Sequence, residues 1–171
     1  MPPTRYPRAM TRWLTDDEQQ TWRALLDMNR YLAEATDRQL QRDSGIPVTY
    51  YGILVVLSEA PDRRMRMSAL AEAVEGSQSR LSHAVRRLED RGWVERRRCD
   101  SDGRGWYAVL TDAGLEALQA AAPGHVECVR RVVFDVLTPQ QQAELRDVAL
   151  TVTQNLRGDA AVPVASAPCA D

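Results

Sequence analysis

Six side chains in one short stretch have the chemistry to read a nucleic acid: Ser77, Gln78, Ser79, Arg80, Ser82 and His83. A glutamine presents the donor and acceptor that match the major-groove edge of adenine, and an arginine fork matches guanine. Arg86 and Arg87 follow a turn or more along the chain, a position better suited to phosphate oxygens. Beyond them Arg96 and Arg98 lead into Asp102-Gly103-Arg104-Gly105. Glycines on both sides of Arg104 permit a tight loop and close approach to a backbone. An arginine held there suits a narrow, A·T-rich minor groove. Asp102 is placed to brace that loop through an ion pair with an arginine. A charged helix face alone is more often a plain solvated surface. The glycine-flanked arginine loop next to it shifts the balance toward duplex DNA.

Other chemistries find little support. There is no Ser/His/Asp order, no phosphate-binding glycine loop and no carboxylate pair with a histidine in a plausible cleft, so no enzyme is expected. Asp100-Ser101-Asp102-Gly103 has the look of a calcium loop, but Arg104 fills its fifth position and Thr111 its twelfth, where a glutamate is required. Cys99, Cys128 and Cys169 are too scattered for a disulfide framework and lack metal-ligand spacing, and His125 has no partner at such a spacing. The reading is therefore no metal and no cofactor, in a reduced cytosolic setting. The opening MPPTRYPRAMTR has no apolar targeting core, and no apolar run reaches membrane-spanning length. The expectation is a cytoplasmic protein without a membrane partner.

The elements that must position these residues are legible in the apolar spacing. Thr15-Asp-Asp-Glu18 is a capping box that opens a helix to about Asp43, through Trp22, Leu25, Leu26, Ala33 and Leu40. At that length it spans roughly 40 Å, more than one small lobe needs, so it is expected to link lobes or subunits. VTYYGILVVLSE, residues 48–59, is apolar nearly throughout, and its length and the Ala60-Pro61-Asp62 stop favour a buried helix over a strand. Ser68 is the expected N-cap of a short helix over 69–75, with Gly76 as the turn. Ser77 is the expected cap of the next, whose buried stripe is Leu81, Ala84, Val85 and Leu88. Residues 94–98 and 107–110 form a hairpin around the arginine loop. Thr111 caps a further helix, interrupted at Pro123-Gly124. Thr138-Pro139-Gln140-Gln141 opens the last one, through Leu145, Val148, Val152 and Leu156.

Helix, turn, helix and ribbon in that order make a winged helix-turn-helix. The fold class expected is mainly α with a small β-wing: a DNA-binding lobe over about 48–111 and a helical dimerisation lobe from about 13–43 and 112–157. Residues 1–12 and 158–171 are read as flexible tails. The 171 residues carry a net charge of −2 and a pI near 5.8, which alone argues against a nucleic-acid partner. The distribution reverses that: from Ser77 to Arg104, eight arginines face five carboxylates, so this segment is locally +3. All 22 basic residues are arginine. That suits bidentate contacts, although a GC-rich coding sequence produces the same bias.

The arrangement resembles the MarR family of winged-helix transcriptional regulators. The residues that carry the resemblance are Tyr51-Gly-Ile-Leu54 with Leu57, Met67-Ser-Ala-Leu-Ala71, Ser79-Arg-Leu-Ser-His83, Arg87-Leu-Glu-Asp-Arg-Gly92, Asp102-Gly-Arg104, Val109-Leu-Thr111 and Gly114. Gly103 departs from the family's wing tip by replacing its middle basic residue. The resemblance covers about residues 13–157. It implies a homodimer joined through its terminal helices on a pseudo-palindromic operator, usually as a repressor, with release by a small, often aromatic, effector bound between the lobes. Trp13, Trp22, Tyr50 and Tyr51, with Met28 and Arg30, lie on helices that line that cleft in the family. Relatives that sense peroxide carry a cysteine near the start of the first long helix, and this chain has none there. The alternative reading is a winged-helix protein-interaction module without operator binding, mildly favoured by the acidic total charge.

Overall fold

The computed structural model describes residues 11–74, 77–98 and 105–159. Its elements run α1 (Asp16–Ser44), α2 (Val48–Glu59), β1 (Arg64–Arg66), α3 (Met67–Ala73), α4 (Gln78–Asp90), β2 (Val94–Arg98), β3 (Trp106–Leu110), α5 (Asp112–Val129) and α6 (Pro139–Asp159). The chain divides into two units, Met1–Glu34 and Ala35–Asp171, with α1 running through both.

In the first unit the expected capping box is present. The Glu18 amide donates to Thr15 Oγ1 (3.2 Å) and the Thr15 amide donates to Glu18 Oε2 (2.7 Å). Asp16, Asp17 and Glu18 sit in the first turn, where negative charge opposes the helix dipole. Trp13, Leu14, Trp22, Leu25, Leu26 and Tyr31 are all exposed.

The second unit holds the core. Leu40 of α1 and Ile46 are buried with Ile53, Leu54 and Leu57 of α2, Leu70 of α3, Val85 and Leu88 of α4, and Val94, Ala108 and Leu110 of the sheet. The apolar segment 48–59 is a helix. Pro47 precedes it and supplies no side-chain cap, so Asp37 does so from α1, its Oδ1 accepting from the Val48 amide (2.9 Å). The turn at Pro61–Arg63 is tight, with Asp62 and Arg63 both at φ 52°, the left-handed region that favours glycine. The Arg63 ion pair to Asp112 (2.9 Å) ties this turn to the start of α5.

Three expectations are corrected. The two-stranded wing is part of a three-stranded antiparallel sheet of order β1-β3-β2, in which Arg66 pairs with Tyr107 and Arg64 with Val109. Because β1 runs straight into α3, that helix starts at Met67 with Arg66 at the N-cap, and Ser68 caps nothing. Helix α5 passes through Pro123 and Gly124 without a break. Gly124 lies so near α1 that a Cβ there would come within 3.1 Å of Gln39 Nε2, and Ala121 and Cys128 on either side are buried, so packing holds the helix in place. The irregularity comes later, in a π-helical turn at Arg130–Phe134. The Thr138 box then forms as expected, the Gln141 amide donating to Thr138 Oγ1 (3.3 Å) and the Thr138 amide to Gln141 Oε1 (2.9 Å). No described helix is long and apolar enough to cross a membrane.

Candidate nucleic-acid interface

Helix α4 is strongly amphipathic, and its two faces have different tasks. Leu81, Ala84, Val85 and Leu88 are buried. Gln78, Ser79, Arg80, Ser82, His83, Arg86 and Arg87 are exposed. Ser77 caps the helix, its Oγ accepting from the Arg80 amide (3.3 Å), and the Arg80 Nε donates to the same oxygen (3.3 Å). One hydroxyl thereby fixes both the first turn and the arginine within it.

The sheet stands next to this helix, and side-chain alternation assigns its faces. Val94, Arg96 and Arg98 of β2 share a face with Trp106, Ala108 and Leu110 of β3, because Val94 pairs with Leu110, Arg96 with Ala108 and Arg98 with Trp106. Val94, Ala108 and Leu110 belong to the core. The same face continues outward as Arg96, then Arg98 and Trp106. Arg96 is half-buried and held by Glu89 of α4: its amide donates to Oε1 (3.1 Å), its Nε to Oε2 (2.7 Å), and NH2 lies 2.6 Å from Oε2. This contact locks the wing to α4 and orients the Arg96 guanidinium. Arg98 is exposed, with its guanidinium 5.4 Å from the centre of the Trp106 ring. Asp102, Arg104 and Cys99 lie outside the described residues.

Between α4 and the sheet lies an open cleft of about 310 Å³, lined by Ser68, Gln78, Ser82, Arg96 and Trp106 among others. Sequence reasoning missed Ser68 and Trp106 here. The signal available for Trp106 was its register opposite Arg98, which becomes visible only once the hairpin is paired. Arg91, at the end of α4, donates from both terminal nitrogens to the Gly45 carbonyl (3.3 and 3.2 Å) and covers the Trp93 ring. It thus fastens the C-terminus of α4 to that of α1.

The expected effector residues fall in different units. Trp13 and Trp22 are exposed in the first. In the second, Tyr50 is half-buried and Tyr51 is buried, its ring 4.6 Å from that of His125. Burial raises the Tyr51 hydroxyl pKa and lowers that of His125. His125 Nδ1 and Gln39 Oε1 are buried and find no hydrogen-bond partner among the described residues. Cys128 is a buried free thiol, with Arg131 NH2 3.8 Å from its sulfur. Among the described residues no cluster of His, Cys, Asp and Glu is arranged to hold a metal ion.

Comparison with known proteins agrees with this geometry. The family model described as MarR family matches residues 44–105, the span from the end of α1 to the foot of β3. The structure of Sco3205, a MarR family transcriptional regulator from Streptomyces coelicolor solved in complex with DNA, superposes with a TM-score of 0.82 at 51% identity, over 86% of this chain and 92% of that one. The chain belongs to the MarR family of transcriptional regulators. A second MarR regulator from Streptomyces coelicolor, AbsC, gives a TM-score of 0.80 at 47% identity, over 86% of this chain and 99% of its own. The transcriptional repressor MprA of Escherichia coli is 26% identical over 134 residues, 78% of this chain and 75% of that protein. The helix-turn-helix of this winged-helix fold is α3 and α4, and β2 and β3 form its wing.

Proposed function

We propose that this MarR-family chain is a sequence-specific DNA-binding regulator that acts as a homodimer on a pseudo-palindromic operator, as a repressor released by a small effector. The observation that carries the reading is the exposed row Gln78, Arg80, Ser82 and His83 on a helix capped at Ser77 and locked to the wing by Glu89 and Arg96. A rigid helix with polar side chains at its N-terminal end is what the major groove admits. Arg86, Arg87 and Arg98 then take phosphates, Arg104 enters the adjoining minor groove and Asp102 braces it. The DNA complex of Sco3205 and the repressor description of MprA support the same partner and the same sign of regulation. The lobe that binds DNA is about 48–111, and the helices of 13–43 and 112–157 join two copies. Dimerisation is supported by the large apolar side chains that α6 leaves exposed, Val148, Leu150, Val152 and Leu156. The effector is a small aromatic molecule, and within the second unit Tyr50 and Tyr51 are the residues assigned to it.

Selection of genomic fragments by the purified protein at two salt concentrations tests this. An enriched inverted repeat, weakened by salt with a log–log slope of about −0.9 per phosphate neutralised, is the expected result. A folded dimer that enriches no sequence at low salt overturns it and leaves a winged-helix module that binds protein.

A further inference from the structure

The wing carries an aromatic side chain that base reading and phosphate pairing leave unused. Trp106 is 44% exposed. Its position on β3 places it on the sheet face that packs against the core, one pair beyond Arg96 and Ala108, where that face leaves the core. It lines the cleft next to α4 together with Ser68, Gln78 and Ser82. Gln78 and Ser82 are also members of the exposed α4 row, so the cleft opens on the same side as the residues that read bases. Arg98 lies over the indole, and the charge of Arg96 is offset by Glu89. The cleft is therefore lined by the Trp106 ring, by Ser68 and Ser82 and by Arg66 and Arg96, and Arg98 lies over the indole.

We infer that this cleft seats one strand of the operator backbone where it passes from the major groove read by α4 to the minor groove entered by the wing. The Trp106 ring packs on a deoxyribose, and Arg98, positioned on that ring, takes the adjoining phosphate. Ser68 and Ser82 supply neutral donors to the same strand. A nucleotide's sugar is the apolar part of its backbone, and each sugar lies between two phosphates. An indole beside a guanidinium matches that alternation, whereas a base edge would call for a planar donor–acceptor set. Because sugars carry no sequence, the contact adds affinity and fixes register without changing base preference.

The inference rests on the DNA-binding reading, and its test separates the two. A labelled duplex carrying the recovered inverted repeat is titrated with wild-type protein, Trp106→Ala, Trp106→Phe and Arg98→Ala across a salt series, and tryptophan emission is followed in parallel. Trp106→Ala weakens binding about five- to tenfold, the lower end of what aromatic stacking contributes in nucleic-acid complexes, with an unchanged salt slope. Trp106→Phe keeps most of the affinity but loses the quenching that the duplex causes in the wild type. Arg98→Ala instead lowers the slope by about 0.9 per protomer. If the wild type binds while Trp106→Ala stays within twofold and quenching persists in Trp106→Phe, the seat is overturned and the DNA-binding reading stands. A loss confined to operators with one particular base also overturns it, since the ring would then be reading sequence. Failure of the wild type to bind any duplex removes both.

Discussion

Gly114 sits in the first turn of α5, directly on the main chain of Trp93. A Cβ there would overlap the Trp93 carbonyl oxygen and lie 2.8 Å from Leu110 Cδ1. That carbonyl accepts from the Thr111 amide (3.1 Å), and Thr111 Oγ1 both donates to the Gly92 carbonyl (2.7 Å) and accepts from the Gly114 amide (3.0 Å). The joint between wing and α5 is thus built from main chain, which cannot step aside as a side chain would. Gly114→Ala should lower stability by about 3 kcal/mol, read from urea unfolding, because overpacking against backbone is among the costlier substitutions. On the proposed DNA face the effect of a substitution lies in specificity. A bidentate base contact discriminates by about 1–3 kcal/mol. Gln78→Ala or Arg80→Ala should therefore relax preference at one operator position per half-site and leave the rest of the sequence logo intact. A uniform loss over all sequences would reassign them to phosphate.

Among the elements, α4 depends on Ser77. Ser77→Ala removes the side-chain acceptor that caps its N-terminus and should cost about 1 kcal/mol. Ser77→Asp keeps the cap and should restore the urea midpoint while still weakening duplex binding, because its carboxylate would face phosphate. Recovery of both would mean that Ser77 does not approach DNA. The contact of α2 with α5 depends instead on pH. His125 packs on Tyr51, and burial lowers its pKa, so the unfolded chain binds a proton more readily than the folded one. Its contribution is present in full above the ordinary histidine value of about 6.5 and is lost as pH falls through the lower, folded value. Urea midpoints of the wild type should drop below about pH 6.5, and those of His125→Gln should drop less. Equal slopes in the two proteins would exonerate the histidine. The acid loss from Asp43, whose pKa is lowered chiefly by hydrogen bonds from Arg42 and Gln39, begins only near the carboxylate range, below the onset of the histidine's loss.

The caps at Thr15, Ser77, Thr111 and Thr138 were all legible in the sequence, because a cap is a local arrangement that four residues specify. So were the stripe of α4 and the turn after α2. What escaped was long-range. Strand β1 is three residues long, too short to show alternation, and exists only because β3, some forty positions later, pairs with it. Once it forms, α3 must begin at Met67, and Ser68 loses its role. Pro123 reads locally as a break, and only contact with α1 and the core shows why the helix continues. For the proposed DNA site, the exposed row of α4 follows from helical period, whereas the Glu89–Arg96 lock and the cleft at Trp106 need the register of two elements that the sequence leaves unspecified.

At the scale of the whole molecule, the proposed operator dimer makes a demand on surfaces that the single chain leaves uncovered. On α6, Val148, Val152 and Leu156 recur at intervals of four and stay exposed, which places them on one helix face. In the first unit, Trp22, Leu25 and Leu26 are likewise exposed. A lone helix bearing such a face would be marginal in water, and burial of three aliphatic side chains contributes several kcal/mol per protomer. Val152→Glu combined with Leu156→Glu should therefore yield a monomer by sedimentation without loss of helical circular dichroism, since neither side chain is part of the core. Two linked half-sites gain a factor of about 10²–10⁴ over one, so affinity for the full inverted repeat should fall by that order while affinity for an isolated half-site holds. The salt slope should halve as well, because each protomer brings its own set of arginines to its own phosphates. A variant that still sediments as a dimer would place the interface elsewhere. A monomer with undiminished affinity for the repeat would mean that the two half-sites are bound independently.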